Sequence, residues 1–174
     1  MTRVELRTDV DGLVDELADV DRETFSAPGY DGDPDDIARF RDEQLLKHAP
    51  RKGFRIATAH DDGLLVGFAY GYTGEVGQWW TDRMLRLAPP DVHAWLGGHF
   101  EFVEIALRPR WQGKGIGSAM HDCLLAGLPH DRAMLTTWQD ETRPARVLYQ
   151  RKGWRPLADV EDSTVMGLRL PVPG

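Results

Sequence analysis

The sequence predicts an α/β fold, on the basis of two observations. Residues 102–127 combine an apolar strand, a turn with three alternate glycines and a helix with one apolar face. Residues 54–72 form two extended segments on either side of an Asp-Asp-Gly turn, which is the pattern of a β-hairpin. With 174 residues, 41% hydrophobic and 28% charged, the chain predicts a single globular domain, 1–174, with a sizeable core.

Before the hairpin, the spacing of apolar residues predicts three elements. Alternation over residues 4–6 predicts a short strand, and a period near 3.6 predicts a helix over 13–20. Residues 26–36 are typical of a loop, and Pro34 suits the first turn of a second helix that extends to about residue 45. Four aspartates in this region either attract a cationic amine or are simply solvated: Asp31, Asp33, Asp35 and Asp36.

Between the hairpin and the central strand, residues 73–98 break the pattern and predict an insertion or lid. The segment holds three of the six tryptophans, Trp79, Trp80 and Trp95, and a Pro-Pro break. A helical turn is expected around residues 78–87. Exposed aromatic side chains in such a segment line an acceptor pocket, form a dimer contact or pack on the body as a minor core, and the sequence leaves these three interpretations open.

After the central helix, three further elements are expected. Residues 133–138 predict a strand, and a helix starts near Pro144 and stops at Gly153, since proline suits a first helical turn and glycine a helix end. Alternation over residues 164–170 predicts a closing strand.

The charge and the cysteine content exclude several classes of function. The net charge of −7 disfavours nonspecific nucleic-acid binding and mildly favours a cationic substrate. The single cysteine, Cys123, excludes an internal disulfide and a cysteine-based zinc site, and is interpreted as a small core residue rather than a catalytic thiol. The six histidines lack metal-ligand spacing, so no metal is expected. Without an apolar span or a signal-peptide core, the protein is expected to be cytoplasmic.

The glycine-rich turn at Gly113, Gly115 and Gly117 predicts an anion site, because loop amides and a helix N-terminus favour negative charge. The alternative is a turn that only lets a strand and a helix pack closely. A nucleotide P-loop is excluded because no Lys-Ser/Thr pair follows the glycines, and the dinucleotide fingerprint fails because Ser118 occupies the position of its third glycine.

Two ordered motifs resemble those of the GNAT (GCN5-related) N-acetyltransferase superfamily. The first is Gln112-x-x-Gly115-x-Gly117, which is similar to the acyl-CoA loop Q/R-x-x-G-x-G/A of that family. The second matches N-x-x-A-x-x-L/F-Y-x-x-x-G-F/W at five positions: Ala145, Leu148, Tyr149, Gly153 and Trp154. Thr142 stands where the family has asparagine. The resemblance covers roughly residues 50–157.

The resemblance implies a mixed, strongly twisted sheet of six to seven strands, flanked by about four helices, whose two central strands splay apart to admit coenzyme A. Arg143 and Arg146 would reach its phosphates or face solvent. The implied cofactor-binding residues are Ile105, Ala106, Leu107, Gln112, Gly113, Lys114, Gly115, Ile116, Gly117, Ser118, Thr142 and Ala145.

Three residues are candidates for catalysis. Glu101 and Glu104 interrupt an apolar strand where an unpaired carboxylate is costly, and in the resembled family a glutamate at either position serves as general base. We favour Glu104; an edge or salt-bridged glutamate is the structural alternative. Tyr149 matches the residue that protonates the departing thiolate in the family, and a tyrosine packed between helix and sheet would explain it equally.

The predicted function is transfer of an acetyl group from acetyl-CoA to a primary amine, by direct attack in a ternary complex. The expected acceptor is a small-molecule amine or a peptide amine, and a homodimer is expected. A non-catalytic acyl-CoA-binding regulatory module is the alternative of a different class, and a plain nucleotide binder is a third.

Overall fold

The computed structural model describes residues 1–172. Seven strands form one mixed sheet in the order β1-β2-β3-β4-β5-β7-β6, so the predicted sheet of six to seven strands is confirmed. β4 and β5 are parallel, whereas β2 is antiparallel to both β1 and β3, and β7 is antiparallel to both β5 and β6. The strands are β1 Thr2–Arg7, β2 Arg55–Asp61, β3 Leu64–Thr73, β4 Phe100–Leu107, β5 Arg132–Trp138, β6 Arg155–Val160 and β7 Ser163–Arg169.

Four of the described α-helices have eight residues or more, in agreement with the expected number of main helices. Seven α-helices are described in all: α1 Val14–Phe25, α2 Pro34–Arg39, α3 Leu46–His48, α4 Trp79–Leu87, α5 Pro90–His93, α6 Ile116–Leu125 and α7 Pro144–Arg151. A π-helix, Phe40–Leu45, joins α2 to α3, and a 3₁₀ turn, Pro109–Trp111, precedes α6. No helix in residues 1–172 is both long enough and apolar enough to cross a membrane.

The chain divides into two compact units. The first unit comprises Met1–Tyr72 and Glu104–Ala126, and the second comprises Thr73–Val103 and the chain from Gly127 onwards. The β4 strand is therefore divided after its fourth residue, and each unit is described by itself.

In the first unit, two glycines explain how the hairpin and the central helix pack. Asp62 and Gly63 both have positive φ, 48° and 86°, as a two-residue type I′ hairpin turn requires. A Cβ atom at Gly67 of β3 would lie 2.8 Å from Leu107 Cδ1 and 3.0 Å from Met120 Cε. The missing side chain at Gly67 therefore allows β4 and α6 to approach β3 closely.

The C-terminal end of α6 is held by one side chain of β2. Arg55 Nη2 donates to Ala126 O at 2.7 Å and to Cys123 O at 3.3 Å. Carbonyl groups at a helix C-terminus have no intrahelical donor and carry partial negative charge, so a guanidinium stabilises that end. This contact fixes the orientation of α6 without occupying its N-terminus.

In the second unit, α4 and α5 pack on the strands around β5 and β7. Their core contains Met84, Val92, Met134, Val160 and Val165, with Trp80 and Trp95 packed against it. Trp80 Nε1 also donates to Thr136 Oγ1 at 2.7 Å. Two of the three tryptophans thus follow the minor-core interpretation, whereas Trp79 is 72% exposed.

The pairing of the two central strands is short. β4 pairs with β5 through Phe100 with Ala133 and Glu101 with Met134, all within the second unit. These are the first two residues of a strand of eight.

Candidate functional site

The glycine-rich turn is an open array of backbone amides in the first unit. Gly113 and Gly115 have φ of 77° and 84°, a left-handed conformation that side chains other than glycine rarely adopt. After Gln112, the next amide that donates to a backbone carbonyl is that of Ala119, which reaches Gly115 O at 3.1 Å. The six amides of residues 113–118 are thus available to a ligand, three of them in the first turn of α6.

Gly117 distinguishes a ligand-binding turn from a packing turn. A Cβ atom there would meet nothing in the protein within 4 Å, and its φ is not positive. Neither packing nor backbone conformation therefore requires glycine at this position, in contrast to Gly67. An approaching anion would require it, since a side chain would hold the anion away from the amides.

Side chains anchor both ends of this turn. Gln112 Nε2 donates to Leu107 O at 2.7 Å, which ties the turn to the end of β4. The Arg108 backbone N–H donates to Val66 O and its Nε to Leu65 O, both at 2.9 Å. Trp111 Nε1 donates to Asp61 Oδ2 at 2.9 Å, and this hydrogen bond lowers the pKa of Asp61. We call residues 108–118 the anion loop.

The anion loop has a positive edge and is preceded by the predicted strand residues. Lys114 is exposed, and Arg110 stacks over the ring of Trp111 at 5.3 Å. Ile116 is buried under the loop, while Ser118 is half-buried. In β4, Ala106 and Leu107 are buried and Ile105 is half-buried.

A second polar assembly of the first unit surrounds Glu104, which is partly buried. Asp21 of α1 is only 3% exposed, and its carboxyl group interacts with that of Glu104. Gln44 Nε2, from the π-helix, donates to Glu104 Oε2 at 3.3 Å. A carboxyl pair that meets inside a protein and has only an amide beside it carries a large cost of ionisation.

Gln44 connects this pair to two further side chains. Gln44 Nε2 also donates to the hydroxyl of Tyr70 at 3.0 Å, and that hydroxyl lies 2.9 Å from His48 Nδ1. Because the Tyr70 oxygen already accepts a hydrogen, we assign its own hydrogen to His48, which places the imidazole proton on Nε2. We call Asp21, Gln44, His48, Tyr70 and Glu104 the carboxyl cluster.

Burial dominates the electrostatics of the carboxyl cluster. It raises the pKa of Asp21 to about 7, against a partial lowering by the hydrogen bond from Glu104. Burial, and then the negative charge of Asp21, raise the pKa of Glu104 well above its usual range. Burial, with Arg51 and Lys47 nearby, lowers the pKa of His48 to about 4, so this imidazole is neutral at pH 7.

Glu101, the alternative base, lies in the second unit in a different environment. It is 5% exposed, and its Oε1 lies 3.7 Å from Nε2 of His99, which is fully buried. The ring of His99 faces Trp80, with 5.7 Å between the ring centroids. The structure therefore gives Glu101 a histidine neighbour and Glu104 a carboxyl neighbour.

The second sequence motif also lies in the second unit. Tyr149 is 5% exposed, and its ring packs edge-on against Phe102 at 5.7 Å and beside Trp154 at 5.9 Å. Thr142 donates its backbone N–H and its hydroxyl to Asp140 Oδ1, at 2.9 and 2.6 Å. Ala145 is half-buried in the first turn of α7. The packing interpretation of Tyr149 is thus confirmed for its ring, and its role in catalysis stays a prediction.

Three other sequence interpretations have a structural outcome. Arg146 neither faces solvent nor is open to a phosphate: it is 4% exposed, and its Nη1 donates to Trp138 O at 2.7 Å. Cys123 is half-buried, and burial raises the pKa of its thiol, as expected for a packing residue. The four aspartates of the α2 region are exposed, and Asp33 caps α2 by accepting from Asp35 N at 2.9 Å.

Sequence reasoning missed Asp21, Gln44, His48 and Tyr70. One signal was present: Asp21 lies on the apolar face of α1 with Leu17, Val20 and Thr24, where an acidic residue is unexpected. Gln44, His48 and Tyr70 carry no comparable signal, because their relation to Glu104 arises only from the fold.

Comparisons with known proteins agree with the anion loop and the fold. Residues 52–156 match the acetyltransferase (GNAT) domain family. The GCN5-like protein acetyltransferase Rv2170 of Mycobacterium tuberculosis is 31% identical over 126 residues, which is 62% of this chain and 60% of that protein. The chain thus spans less than two thirds of this curated relative.

Solved structures share the fold across almost the whole chain. PH1933 from Pyrococcus horikoshii has a TM-score of 0.70 at 19% identity, covering 98% of this chain and 99% of its own. The PaiA N-acetyltransferase of Thermoplasma acidophilum, solved in complex with coenzyme A, has a TM-score of 0.67 at 15% identity, covering 96% and 99%. The sequence motifs, the fold and the matched region agree, and the chain belongs to the GNAT acetyltransferase family.

Proposed function

We propose that this chain transfers an acetyl group from acetyl-CoA to a primary amine. The observation that carries the proposal is the anion loop, whose six amides at residues 113–118 are available to a ligand at the N-terminus of α6. Such an array suits a pyrophosphate. The family match and the coenzyme A complex of the PaiA N-acetyltransferase support the assignment of that pyrophosphate to coenzyme A.

The cofactor would be held in the first unit by two kinds of backbone group. Gln112, Gly113, Lys114, Gly115, Ile116, Gly117 and Ser118 surround its phosphates. Main-chain groups of Ile105, Ala106 and Leu107 pair with the pantetheine arm as an added strand, and the Leu107 N–H stabilises the oxyanion of the thioester. Leu107 O is already bonded to Gln112, so this residue offers its N–H rather than its carbonyl.

Glu104 is the proposed general base. An alkyl ammonium has a pKa of about 10.4 and must lose a proton before its nitrogen attacks the thioester carbon. The raised pKa of Glu104 favours proton uptake, and its partial exposure leaves it accessible. Glu101, with His99 beside it, is the alternative base. The raised pKa of the Cys123 thiol disfavours a covalent acyl-enzyme and supports direct attack in a ternary complex.

The residues of the second motif complete the proposal. Tyr149 would protonate the departing thiolate, and Thr142 and Ala145 would contact the cofactor through the first turn of α7. The hydroxyl of Thr142 is engaged by Asp140, so its backbone is the better candidate for that contact.

Calorimetry followed by a turnover assay tests the proposal. Acetyl-CoA should bind and release heat, while ATP and NAD should not compete. Thiol release should then require one member of an amine panel that contains polyamines, amino acids and lysine peptides. The lysine peptides are included because the Mycobacterium tuberculosis relative is a protein acetyltransferase. Tight acetyl-CoA binding without turnover on any amine would instead indicate a regulatory module, and absence of binding would overturn the assignment.

Two substitutions assign the chemistry. Tyr149→Phe should lower turnover and leave acetyl-CoA affinity intact. Phe102→Leu, which alters the packing around the rings of Tyr149 and Trp154 and leaves the Tyr149 hydroxyl in place, is the matched control and should affect stability more than turnover. If Tyr149→Phe leaves kcat unchanged, tyrosine is not the acid.

A further inference from the structure

The carboxyl cluster contains a contact that the general-base mechanism alone does not require. Asp21 is 3% exposed on α1, and its carboxyl group interacts with that of Glu104 of β4. Asp21 Oδ1 is buried and has no hydrogen-bond partner among the described residues. Two carboxylates cannot accept from each other, so a hydrogen bond between them requires a proton on one.

Among residues 1–172, no cation acts on the pair to allow both carboxyl groups to ionise. Glu104 faces Asp21 from α1, the neutral amide of Gln44 from the π-helix and the neutral phenol of Tyr70 from β3. The imidazole of His48 faces Tyr70 rather than either carboxyl group. Arg51 is directed to Tyr72, to whose hydroxyl it donates at 2.7 Å. Like charges in contact inside a protein then favour a single ionisation, as in paired carboxylates elsewhere.

We propose that Asp21 is a positioning residue that shares one proton with Glu104, so that the pair carries a single negative charge at neutral pH and takes up the proton of the acceptor amine. Only the uptake of the acceptor's proton rests on the proposed function; the proton shared by Asp21 and Glu104 does not. Glu104 is the member that is open to the acceptor, and Asp21 acts through it. Gln44 fixes the orientation of Glu104 because its two amide hydrogens are both committed, one to Glu104 and one to Tyr70.

The proton count follows from this arrangement. The singly charged pair attracts one ammonium group and takes one proton from it, which leaves a neutral amine and a pair with both carboxyl groups protonated. The amine nitrogen then forms a bond to the acetyl carbon and the carbon–sulfur bond breaks. A second proton passes from nitrogen to the thiolate, and the pair returns the first proton to solvent. One proton is thus released for each amide bond formed.

Such a pair is also a well-matched base. Burial raises the pKa of Asp21 to about 7 and that of Glu104 well above its usual range. A general base is most effective when its pKa is near the working pH, since it is then both ionised and basic. A lone, unperturbed glutamate would be a much weaker base.

Carboxyl-carbon NMR on protein labelled at Asp and Glu tests the shared proton, without cofactor or acceptor. In the wild type, the signals of Asp21 and Glu104 should both move in the same two steps, one near pH 7 and one higher. In Asp21→Asn, the Glu104 signal should move in a single step. If in the wild type the two groups titrate independently, each in one step below pH 5, the proposal is overturned.

Kinetics then connect the pair to catalysis. Asp21→Asn should lower kcat/KM for the acceptor by about tenfold or more, with the Kd for acetyl-CoA unchanged. Asp19→Asn is the matched control, because Asp19 lies on the same helix, exposed, and pairs with Arg22. The control should keep both the two-step titration and the activity. Full activity in Asp21→Asn would overturn the catalytic half of the proposal.

The two measurements separate failure of this inference from failure of the proposed function. The wild-type titration needs no variant and no turnover, so it reads out even if no amine is acetylated. Acetyl transfer together with independent carboxyl titrations would overturn this inference and leave the proposed function standing.

Discussion

The anion loop takes its amides from six consecutive residues, 113–118, whereas the carboxyl cluster takes its side chains from five separate elements of the first unit. In the anion loop the functional atoms belong to the backbone, so glycine and helix geometry determine them. In the carboxyl cluster they belong to side chains, and burial determines their chemistry. In the anion loop, a substitution should therefore change ligand binding by blocking access to the amides. In the carboxyl cluster, it should change activity by altering the charge of the side chains.

Glu104→Gln should have the largest effect, because it keeps the shape of the carboxyl cluster and removes its base. We expect kcat/KM to fall roughly 10²- to 10⁴-fold, the usual contribution of a general base. The Kd for acetyl-CoA, measured by calorimetry, should change by less than about twofold, since the anion loop is untouched. A comparable loss of acetyl-CoA affinity would show that the two assemblies are not independent.

Asp21→Asn should have the next largest effect, on the pH dependence of stability. The pKa of Asp21 is raised in the folded state to about 7, so between about pH 4 and pH 7 the unfolded chain loses a proton that the folded chain keeps. The wild type should therefore lose stability as pH rises through this window. The stability difference between the variant and the wild type should grow in favour of the variant by on the order of 2–4 kcal/mol.

Urea denaturation of both proteins at pH 4.5 and pH 8 measures this difference. Asp19→Asn, on the exposed side of α1, should show no such growth. A constant difference between Asp21→Asn and the wild type would mean that Asp21 is already ionised at pH 4.5.

Gly117→Ala should separate shape from stability in the anion loop. A Cβ atom there meets nothing within 4 Å, so the fold should gain about 0.5–1 kcal/mol from the better helix former. The same atom would keep a phosphate from the amides, and we expect acetyl-CoA to bind about tenfold more weakly. On one preparation, denaturation should show the gain in stability and calorimetry the loss of acetyl-CoA affinity.

Gly67→Ala is the counterpart, since its Cβ atom would lie 2.9 Å from Ala106 O. It should cost roughly 1–3 kcal/mol of stability through overpacking. Unchanged acetyl-CoA affinity in Gly117→Ala would show that no phosphate approaches the amide of Gly117.

Lys114→Ala should have the smallest effect. The side chain is exposed, so it contributes a screened attraction to the phosphates rather than a fixed contact. Acetyl-CoA affinity should fall by about two- to fivefold in low salt and by less in high salt. Lys52→Ala, another exposed lysine of the first unit, should leave it unchanged at both salt concentrations.

The contrast also explains what the sequence could predict. The anion loop is local: Gln112, Gly115 and Gly117 stand at fixed spacing after a strand, and that order identified the family before the fold was known. Asp62-Gly63 predicted its hairpin for the same reason. The carboxyl cluster is not local, because Asp21 and Glu104 are 83 positions apart in the sequence. Only the acidic residue on the apolar face of α1 could have indicated it.

The tryptophan-rich segment lies between these cases. Its helix near residues 78–87 followed from the pattern and is confirmed as α4. The sequence could not predict which tryptophans are buried. Trp80 and Trp95 pack against the core and Trp79 is exposed, because burial depends on which face of the segment meets β5 and β7.

The π-helix at Phe40–Leu45 makes the length of this segment as important as its composition. A π-turn accommodates one more residue than an α-turn, so losing a single residue here would restore a regular helix. Residues downstream, His48 among them, would then keep nearly the same orientation, because the π-turn had absorbed the extra residue, whereas the side chain of Gln44 inside the π-helix would lose its present direction. Related chains that lack one residue between α2 and α3 should therefore lose the contact of Gln44 with Glu104, even where every side chain named above is retained.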